Sequence, residues 1–378
     1  MKFTCEYRDL AAGLGWVART LPAKAAHVIL NGLLFEVDDD GVLHVSAFDY
    51  EQSAAAVVPT VTSSPGRAVL PGKLLKAILD KSPKESFEVV ADDGVATVTC
   101  GRVRLEIPLM PIESYPALPP FSDLRYAGAM DGDAFASAVN QVAFATSNDS
   151  STPQLTTVLL TFEPDQVAFL GSDRHRMGLR LVEFDSAEGL TSCVLVPPRL
   201  LVDAARIAQG RSVEVYLSDR EVVDEIEVHR RIGVKIGGRS ATSTVLARQF
   251  QVPYTSFLLP TEGRTVATFD VADLKAAMER ARLVLNPVES IALEITSEGM
   301  ELRGGSEARL IEPVAANVEG DEVTVLLNPS FMVDGLDAIG TQVARLTVQE
   351  PRRPVMLTPS WNGGEVPYRY IMMPVSPS

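Results

Sequence analysis

Cysteine and histidine are scarce in this sequence, with three cysteines and four histidines among 378 residues. Cys5, Cys100 and Cys193 are widely spaced and form no CxxC pair, which argues against a disulfide framework and indicates a reducing compartment. No histidine belongs to an HxH or HExxH motif, so a zinc site is not expected. The sequence therefore predicts neither a metal nor another cofactor.

Long hydrophobic runs are also missing. The longest apolar stretches, such as 194–198, are far shorter than the roughly 20 residues that span a bilayer. The first six residues lack the apolar stretch of a secretory signal. Because hydrophobic residues make up 46% of the chain and charged residues 22%, wholesale disorder is excluded. We expect a soluble, cytoplasmic protein that does not bind membranes and has two or three domains.

Catalytic motifs are absent as well. The sequence has no GxSxG motif and no glycine-rich phosphate loop. Ser172, Asp173 and His175 are the residue types of a hydrolytic triad, but they are nearly adjacent, whereas a working triad converges from separate elements. We therefore predict a non-enzymatic scaffold, and a hydrolase that uses these three residues remains a distant alternative.

The net charge is −15, from 34 basic and 49 acidic residues. As an average over the whole surface, this charge argues against a protein that coats itself in nucleic acid. The same sum is compatible with an acidic outer surface and a small basic inner surface.

Three related passages recur at a period of roughly one third of the chain. Residues 33–45, 158–170 and 291–302 each read as a strand, a turn and a second strand. An amphipathic helix precedes each passage, and a helix that begins beside a proline follows it, as in PGKLL, PPRLL and NPSFM. We interpret this order as a triplication.

Proline-rich segments separate the copies. Residues 119–122 and 260–263 read as linkers. The predicted domains are residues 1–121, 126–258 and 264–378, which we call the first, second and third repeats. Each is expected to be an α+β domain with a sheet and two helices on one side.

Several short motifs resemble the bacterial DNA polymerase III β sliding clamp family, and the resemblance covers the whole chain. They are MKFT (1–4), ILNGLL (29–34), MPIESYP (110–116), SDRHRM (172–177) and YIMMPV (370–375). The resemblance implies a head-to-tail homodimer in which six similar domains form a ring around duplex DNA, with helices inside and sheets outside. It also implies the replicative DNA polymerase, a clamp loader and other clamp-motif proteins as partners.

The resemblance implies three functional surfaces. Contacts with DNA would be independent of sequence, since phosphates carry no base information. The candidate DNA-binding residues are Lys24, Lys73, Lys76, Arg199 and Arg206. The candidate dimer interface joins Leu105 and Ile107 to Leu283 and Val284 of the other subunit. The candidate cleft for partner peptides comprises Leu155, Ser172, Arg174, His175, Arg176, Met177, Pro253, Leu258, Met372, Met373, Pro374 and Val375.

The sequence departs from the family pattern around that cleft. Arg174 stands where a small residue is usual, and Met177 where leucine is. The second helix of the third repeat carries Ser330, Asp334 and Asp337 in place of basic residues. The main prediction is a processivity clamp. The alternative is a paralogous clamp that seldom encircles DNA. Such a paralogue would mainly bind proteins, or its altered pocket would evade a peptide-like inhibitor.

Overall fold

The computed structural model describes residues 1–223, 226–247, 265–286, 289–306, 308–360 and 367–375. The two helices of the third repeat begin at side-chain caps. Asp270 accepts a hydrogen bond from the backbone of Ala272 at 2.8 Å, and Asn328 accepts one from Ser330 at 2.9 Å. Pro329 follows Asn328 in the first turn, where its missing N–H costs nothing.

Each repeat contains two helices among the described residues, as the sequence predicted. In the first repeat they are α1 (Tyr7–Val17) and α2 (Gly72–Lys81). The strands of this repeat are β1 (Lys2–Cys5), β2 (Gly32–Val37), β3 (Leu43–Phe48), β4 (Gln52–Val58), β5 (Thr62–Ser64), β6 (Gly66–Pro71), β7 (Phe87–Asp92), β8 (Val95–Cys100) and β9 (Val103–Pro108).

The second repeat contains α3 (Gly132–Val142) and α4 (Pro198–Ala208). Its strands are β10 (Leu124–Asp131), β11 (Val158–Phe162), β12 (Gln166–Ser172), β13 (Arg176–Glu183), β14 (Asp185–Ser186), β15 (Ser192–Val196), β16 (Ser212–Ser218), β17 (Arg220–Val223), β18 (Ile226–His229), β19 (Arg231–Ile236) and β20 (Arg239–Thr244).

The third repeat contains α5 (Val271–Val284) and α6 (Pro329–Ala338). Its strands are β21 (Thr265–Asp270), β22 (Ile291–Thr296), β23 (Gly299–Gly304), β24 (Leu310–Val314), β25 (Ala316–Gly320), β26 (Val323–Leu327), β27 (Val343–Val348), β28 (Val355–Pro359) and β29 (Tyr368–Met372).

The chain divides into two compact units, and the division runs through the second repeat. Unit 1 is Met1–Asp133 with Arg199–Ala247, and unit 2 is Ala134–Pro198 with Arg248–Ser378. Unit 1 has one sheet in the order β5-β1-β7-β8-β9 and another that includes β10-β16-β19-β20-β4-β3-β2-β6. Unit 2 has a sheet in the order β15-β11-β12-β13-β29-β28-β27-β21-β25 and one in the order β24-β23-β22-β26.

Neighbouring repeats share a sheet at two strand pairs with the same register. The first joint pairs β4 with β20, where Ala54 lies opposite Ala241. The second joint pairs β13 with β29, where Gly178 lies opposite Tyr370. A Cβ atom on Gly178 would lie 2.5 Å from the carbonyl oxygen of Gln141, so glycine allows the end of α3 to pack directly on the sheet. Each joint is therefore a continuous sheet with helices packed on one face.

Strands β9 and β24 each stand at one end of a sheet. Within the described residues, β9 is bonded only to β8 and β24 only to β23. Of the two candidate interface residues in β9, Ile107 is 2% exposed in the single chain. The strand face shared by Val103, Leu105 and Ile107 becomes buried towards the end of the strand, where Ile107 lies opposite Ala96. Leu283 of α5, in contrast, is 84% exposed.

In the part of the chain described here, no helix has the length and apolar character needed to cross a bilayer.

Candidate functional site

The loop between β12 and β13 forms the centre of the candidate cleft in unit 2. Asp173 holds this loop, because its Oδ1 atom accepts hydrogen bonds from the backbone N–H groups of His175 and Arg176, both at 3.0 Å. Arg174 lies at the tip with a φ of 81°, a left-handed conformation that glycine adopts without cost. Glycine at this position would therefore relieve backbone strain.

Arg176 is buried at the second joint. Its Nε atom donates to Asp173 at 2.9 Å, and its Nη1 atom donates to Asp334 in α6. Its guanidinium lies 4.4 Å from the ring centroid of Phe331 and 5.5 Å from that of Phe144. Burial alone would lower the pKa of Arg176, but its hydrogen bonds to Asp334 and Asp173 raise the pKa above its ordinary value. Since its side chain is only 12% exposed, Arg176 positions the cleft rather than presenting a charge on it.

The C-terminal segment lies alongside this loop. Met372 is paired with Arg176 in the sheet and is buried in the core, as is Met177. The backbone N–H of Met373 donates to the carbonyl of His175 at 2.8 Å, and that of Val375 donates to Leu326 at 2.8 Å. The side chain of Met373 is 43% exposed. These contacts bring the 173–175 loop and the 373–375 segment together and leave flexible apolar groups at the surface.

A second loop approaches the tip. Asp149 accepts hydrogen bonds from the backbone and the hydroxyl of Ser151, and these bonds, together with the charge of Arg174, lower its pKa. Leu155 follows in a short 3-10 turn, and its carbonyl accepts a bond from Ser147 at 2.8 Å. Pro253 and Leu258 lie outside the described residues.

The alternative of a hydrolytic triad is not supported by the geometry. The hydroxyl of Ser172 donates to the carbonyl of Arg176 at 2.8 Å, and the Asp173 carboxylate is used by backbone N–H groups and the Arg176 guanidinium. Ser172 and Asp173 therefore hold the shape of the loop, and their polar atoms are already engaged in the contacts that a triad would need them to leave.

The candidate DNA-binding residues all lie in unit 1, and three of them have contacts within the chain. Lys73 donates to the carbonyl of Ala23 at 3.2 Å, and Lys76 pairs with Asp80 at 2.7 Å. Arg199 pairs with Asp49 at 2.9 Å. Lys24 and Arg206 are exposed. Four of these candidate cations lie on α2 and α4, whereas the matched helix α6 of the third repeat carries Asp334 and Asp337.

Sequence reasoning missed two aromatic residues at this site. Phe144 and Phe331 form the surface on which the Arg176 guanidinium packs. Phe331 lies in the first turn of α6 at the place that Leu200 occupies in α4, so the repeat predicted an apolar residue but not its contact with a cation.

Comparison with protein families gives three consecutive matches. The N-terminal domain of the DNA polymerase III beta subunit matches residues 1–119, the central domain matches 129–251, and the C-terminal domain matches 256–376.

Individual relatives are similar over their whole length. A "Beta sliding clamp" from Streptomyces coelicolor is 34% identical over 99% of this chain and 99% of its own. A "Beta sliding clamp homolog GriR" from Streptomyces muensis is 30% identical with the same coverage. Among solved structures, the beta subunit from DNA polymerase of Streptococcus pyogenes superimposes with a TM-score of 0.88 at 23% identity, covering 99% of this chain and 100% of that one.

Proposed function

This chain belongs to the DNA polymerase III beta subunit family of sliding clamps, and on that basis we propose that it keeps a replicative DNA polymerase on its template by encircling duplex DNA as a homodimer. The observation that carries this proposal is the identical register of the two strand joints, combined with the edges of β9 and β24, which have no equivalent joint among the described residues. We assign the protein no catalytic step.

The repeated register supports a third joint between subunits. β24 corresponds in its repeat to β4 and β13, and β9 corresponds to β20 and β29. In strand register, Leu310 of β24 corresponds to Ala54 in the first joint and to Gly178 in the second. On the opposing strand, Leu105 of β9 corresponds to the residues that pair with them. Two chains related head to tail would then satisfy both open edges, which is the reason to expect a closed dimer.

The proposed interface places Leu105 of one subunit opposite Leu310 of the other, with Leu283 and Val284 of α5 beside them. Such an apolar centre is typical of a stable interface between identical subunits. The variant Leu283→Asp with Val284→Asp is expected to give folded monomers. The control is Val222→Asp, because Val222 is also a highly exposed apolar side chain but belongs to the β17–β18 ribbon and to neither edge strand.

Sedimentation velocity distinguishes the outcomes. The control and the native protein should both sediment as dimers, and the double variant should not. A double variant that remains a dimer would contradict this interface.

The proposed DNA contacts are uneven. The candidate cations Lys24, Lys73, Lys76, Arg199 and Arg206 lie in the first and second repeats, and α6 of the third repeat is acidic. Binding should therefore depend steeply on salt, because it depends on phosphate neutralisation and counterion release. A ring that has been loaded by a clamp loader should stay longer on circular than on linear DNA. Equal lifetimes would contradict encirclement and favour the paralogue that mainly binds proteins.

We assign the binding of partner peptides to the surface formed by Met373, Pro374 and Val375 with the loop at Arg174. A few apolar anchors carry most of the energy in such sites, each worth on the order of 2 kcal/mol. Deleting residues 373–378 should abolish binding of clamp-motif peptides, with dimerisation as the control for folding. Since the deletion also removes the backbone bonds from Met373 and Val375, a small fall in melting temperature is expected.

A second candidate function, an inhibitor-evading paralogue, is favoured by the long cationic side chain of Arg174 at a strained φ. Arg174→Gly should improve the binding of a bulky or cyclic peptide relative to the native protein. An unchanged affinity in titration would remove the main physical support for this second function.

A further inference from the structure

The open edges of β9 and β24 carry exposed charges beside the leucines of the proposed interface. In β9, Arg104 and Glu106 share the face opposite to that of Leu105, because successive side chains point to opposite sides of a strand. Their side chains are 69% and 67% exposed. Arg309, which immediately precedes β24, is exposed as well. Charges of both signs are therefore accessible at the two edges of a single chain.

The register of the two observed joints places these charges opposite each other. In the pairing proposed above, Leu105 of one subunit lies opposite Leu310 of the other. Both observed joints are antiparallel, so the residue before Leu310 meets the residue after Leu105. Arg309 of one subunit therefore lies opposite Glu106 of the other, a cation facing a carboxylate.

The second joint supports this register through the neighbouring pair. On the other side of the two leucines, Ile311 would lie opposite Arg104, and the matched pair at the second joint is Leu179 opposite Arg369. Leu179 and Arg369 are both buried, whereas Ile311 is 62% exposed in the single chain. An aliphatic side chain facing an arginine is therefore a combination that a joint of this molecule already buries.

The pair at the place of the two charges has a different chemistry in each joint. At the first joint it is Ser53 with Thr242, whose hydroxyl oxygens lie 2.7 Å apart. At the second joint it is Met177 with Ile371, which is apolar. At the third joint it would be an ion pair. A strand edge that belongs to one joint is therefore a poor match for the edge of another, which is how strand pairs discriminate between partners.

We propose that the Arg309–Glu106 pair selects the partner at the third joint, so that this chain assembles in one register with a second copy of itself. The inference rests on the closed dimer proposed above and adds the residues that decide which chains can pair. Opposite charges directly across antiparallel strands stabilise the pairing, and like charges destabilise it. A head-to-tail dimer has two such joints, so a mismatched subunit is rejected at both.

Charge exchange in the full-length protein tests this selection. Glu106→Arg brings two arginines together at each joint, and Arg309→Glu brings two carboxylates together. Each variant alone should weaken dimerisation by about tenfold. When the two variants are mixed, each joint regains a cation opposite a carboxylate. About nine tenths of the dimers should then contain one subunit of each kind, against roughly half for random pairing.

A protein that carries both substitutions gives the opposite result. Alone it should dimerise with native affinity, because the charges are exchanged but still complementary. Mixed with the native protein, it should form mixed dimers as only about a tenth of the total, since both joints would hold like charges. Native mass spectrometry after subunit exchange counts the three kinds of dimer in each mixture.

The matched control exchanges the charges of Arg125 and Asp219, which form an exposed ion pair and belong to neither edge strand. Arg125→Glu and Asp219→Arg change the net charge by the same amounts as the test variants and should pair at random. Random pairing of Glu106→Arg with Arg309→Glu would overturn the selection while leaving the closed dimer intact. A native protein that is monomeric would overturn both. If a single variant fails to fold, the mixture of the doubly substituted and native proteins decides the result.

Discussion

At the first joint, the helix beside the shared sheet carries Trp16 in its last turn, whereas at the second joint the matched residue is Gln141. The first joint is filled by an indole that bonds to both of its strands, and the second is held by the buried guanidinium of Arg176. The strand register is nevertheless the same. The comparison teaches that backbone pairing defines the joint, while each joint uses its own side chains to stabilise the packed helices.

The largest expected effect comes from removing the guanidinium of the second joint. Arg176→Met should lower the free energy of unfolding of unit 2 by about 3 kcal/mol, because it removes a guanidinium that is 12% exposed and pairs with both Asp173 and Asp334. Arg199→Met, the matched control at the first joint, should cost less, about 1 kcal/mol, since the Arg199 side chain is 43% exposed and water screens its pairing with Asp49. Urea unfolding, monitored by hydrogen exchange of the backbone amides in β13 and β4, measures the loss of stability in both variants. Equal losses would mean that the two joints do not differ in the way described.

Trp16→Phe tests how much the indole hydrogen bonds stabilise the first joint. It removes the N–H that bonds to Ala55 and Ser240 and leaves both carbonyls short of a donor, so we expect a loss of about 2 kcal/mol. Gln141→Met should cost less than about 1 kcal/mol, because it removes an unpaired acceptor together with a single hydrogen bond. Thermal unfolding with circular dichroism gives the ranking, and the reverse order would contradict the comparison.

The stability that Asp203 contributes should depend on pH. Burial raises the pKa of Asp203 above its ordinary value of 3.8, although Arg19 and Arg199 oppose the shift. The stability that this proton contributes is fully present below the unfolded pKa and is lost as pH rises through the folded pKa. Asp203→Asn should therefore leave the free energy of unfolding nearly unchanged at pH 7. It should also flatten the dependence of stability on pH above the ordinary pKa of an aspartate.

Asp334→Asn should instead cost about 1 kcal/mol at pH 7, because Asp334 stabilises the cation of Arg176 and is itself half exposed. Stability measured from pH 3 to pH 7 separates the two variants. A larger loss of stability for Asp203→Asn than for Asp334→Asn at neutral pH would contradict this comparison of the two aspartates.

The smallest expected effect concerns the loops that lead into the joints. Tyr50 and Arg174 hold the same loop position, with φ values of 76° and 81°. Arg174→Gly should stabilise the protein by about 0.5 kcal/mol, since relief of left-handed strain exceeds the entropy cost of glycine. Tyr50→Gly should gain nothing, because it also loses the contact of the Tyr50 ring with Phe48 at 5.6 Å. Chemical denaturation of both variants provides the comparison.

Local structure could be read from the sequence because its signals are local. The strand–turn–strand passages became β2–β3, β11–β12 and β22–β23, and two helices were found in each repeat as predicted. Alternating apolar residues and prolines determine such elements within a few residues of chain.

The site was harder to predict, because it depends on contacts between distant residues. Arg176 is a candidate residue of the peptide cleft, and its guanidinium donates to Asp334, 158 residues away. Ile107 is a candidate interface residue, and Ala96 on the neighbouring strand lies opposite it. Neither partner can be found from spacing alone. The assignments of the DNA-binding and peptide-binding residues remain predictions.

The pairing of β13 with β29 also has a consequence for how the protein is made. The two strands are separated by about 190 residues, as are β4 and β20. At a synthesis rate of about 5–20 residues per second, each earlier strand waits about 10–40 s on the ribosome before its partner is translated. During that time its edge is open to strands of neighbouring nascent chains. Slowing translation late in the second and third repeats should therefore increase aggregation, even though the finished protein would be identical.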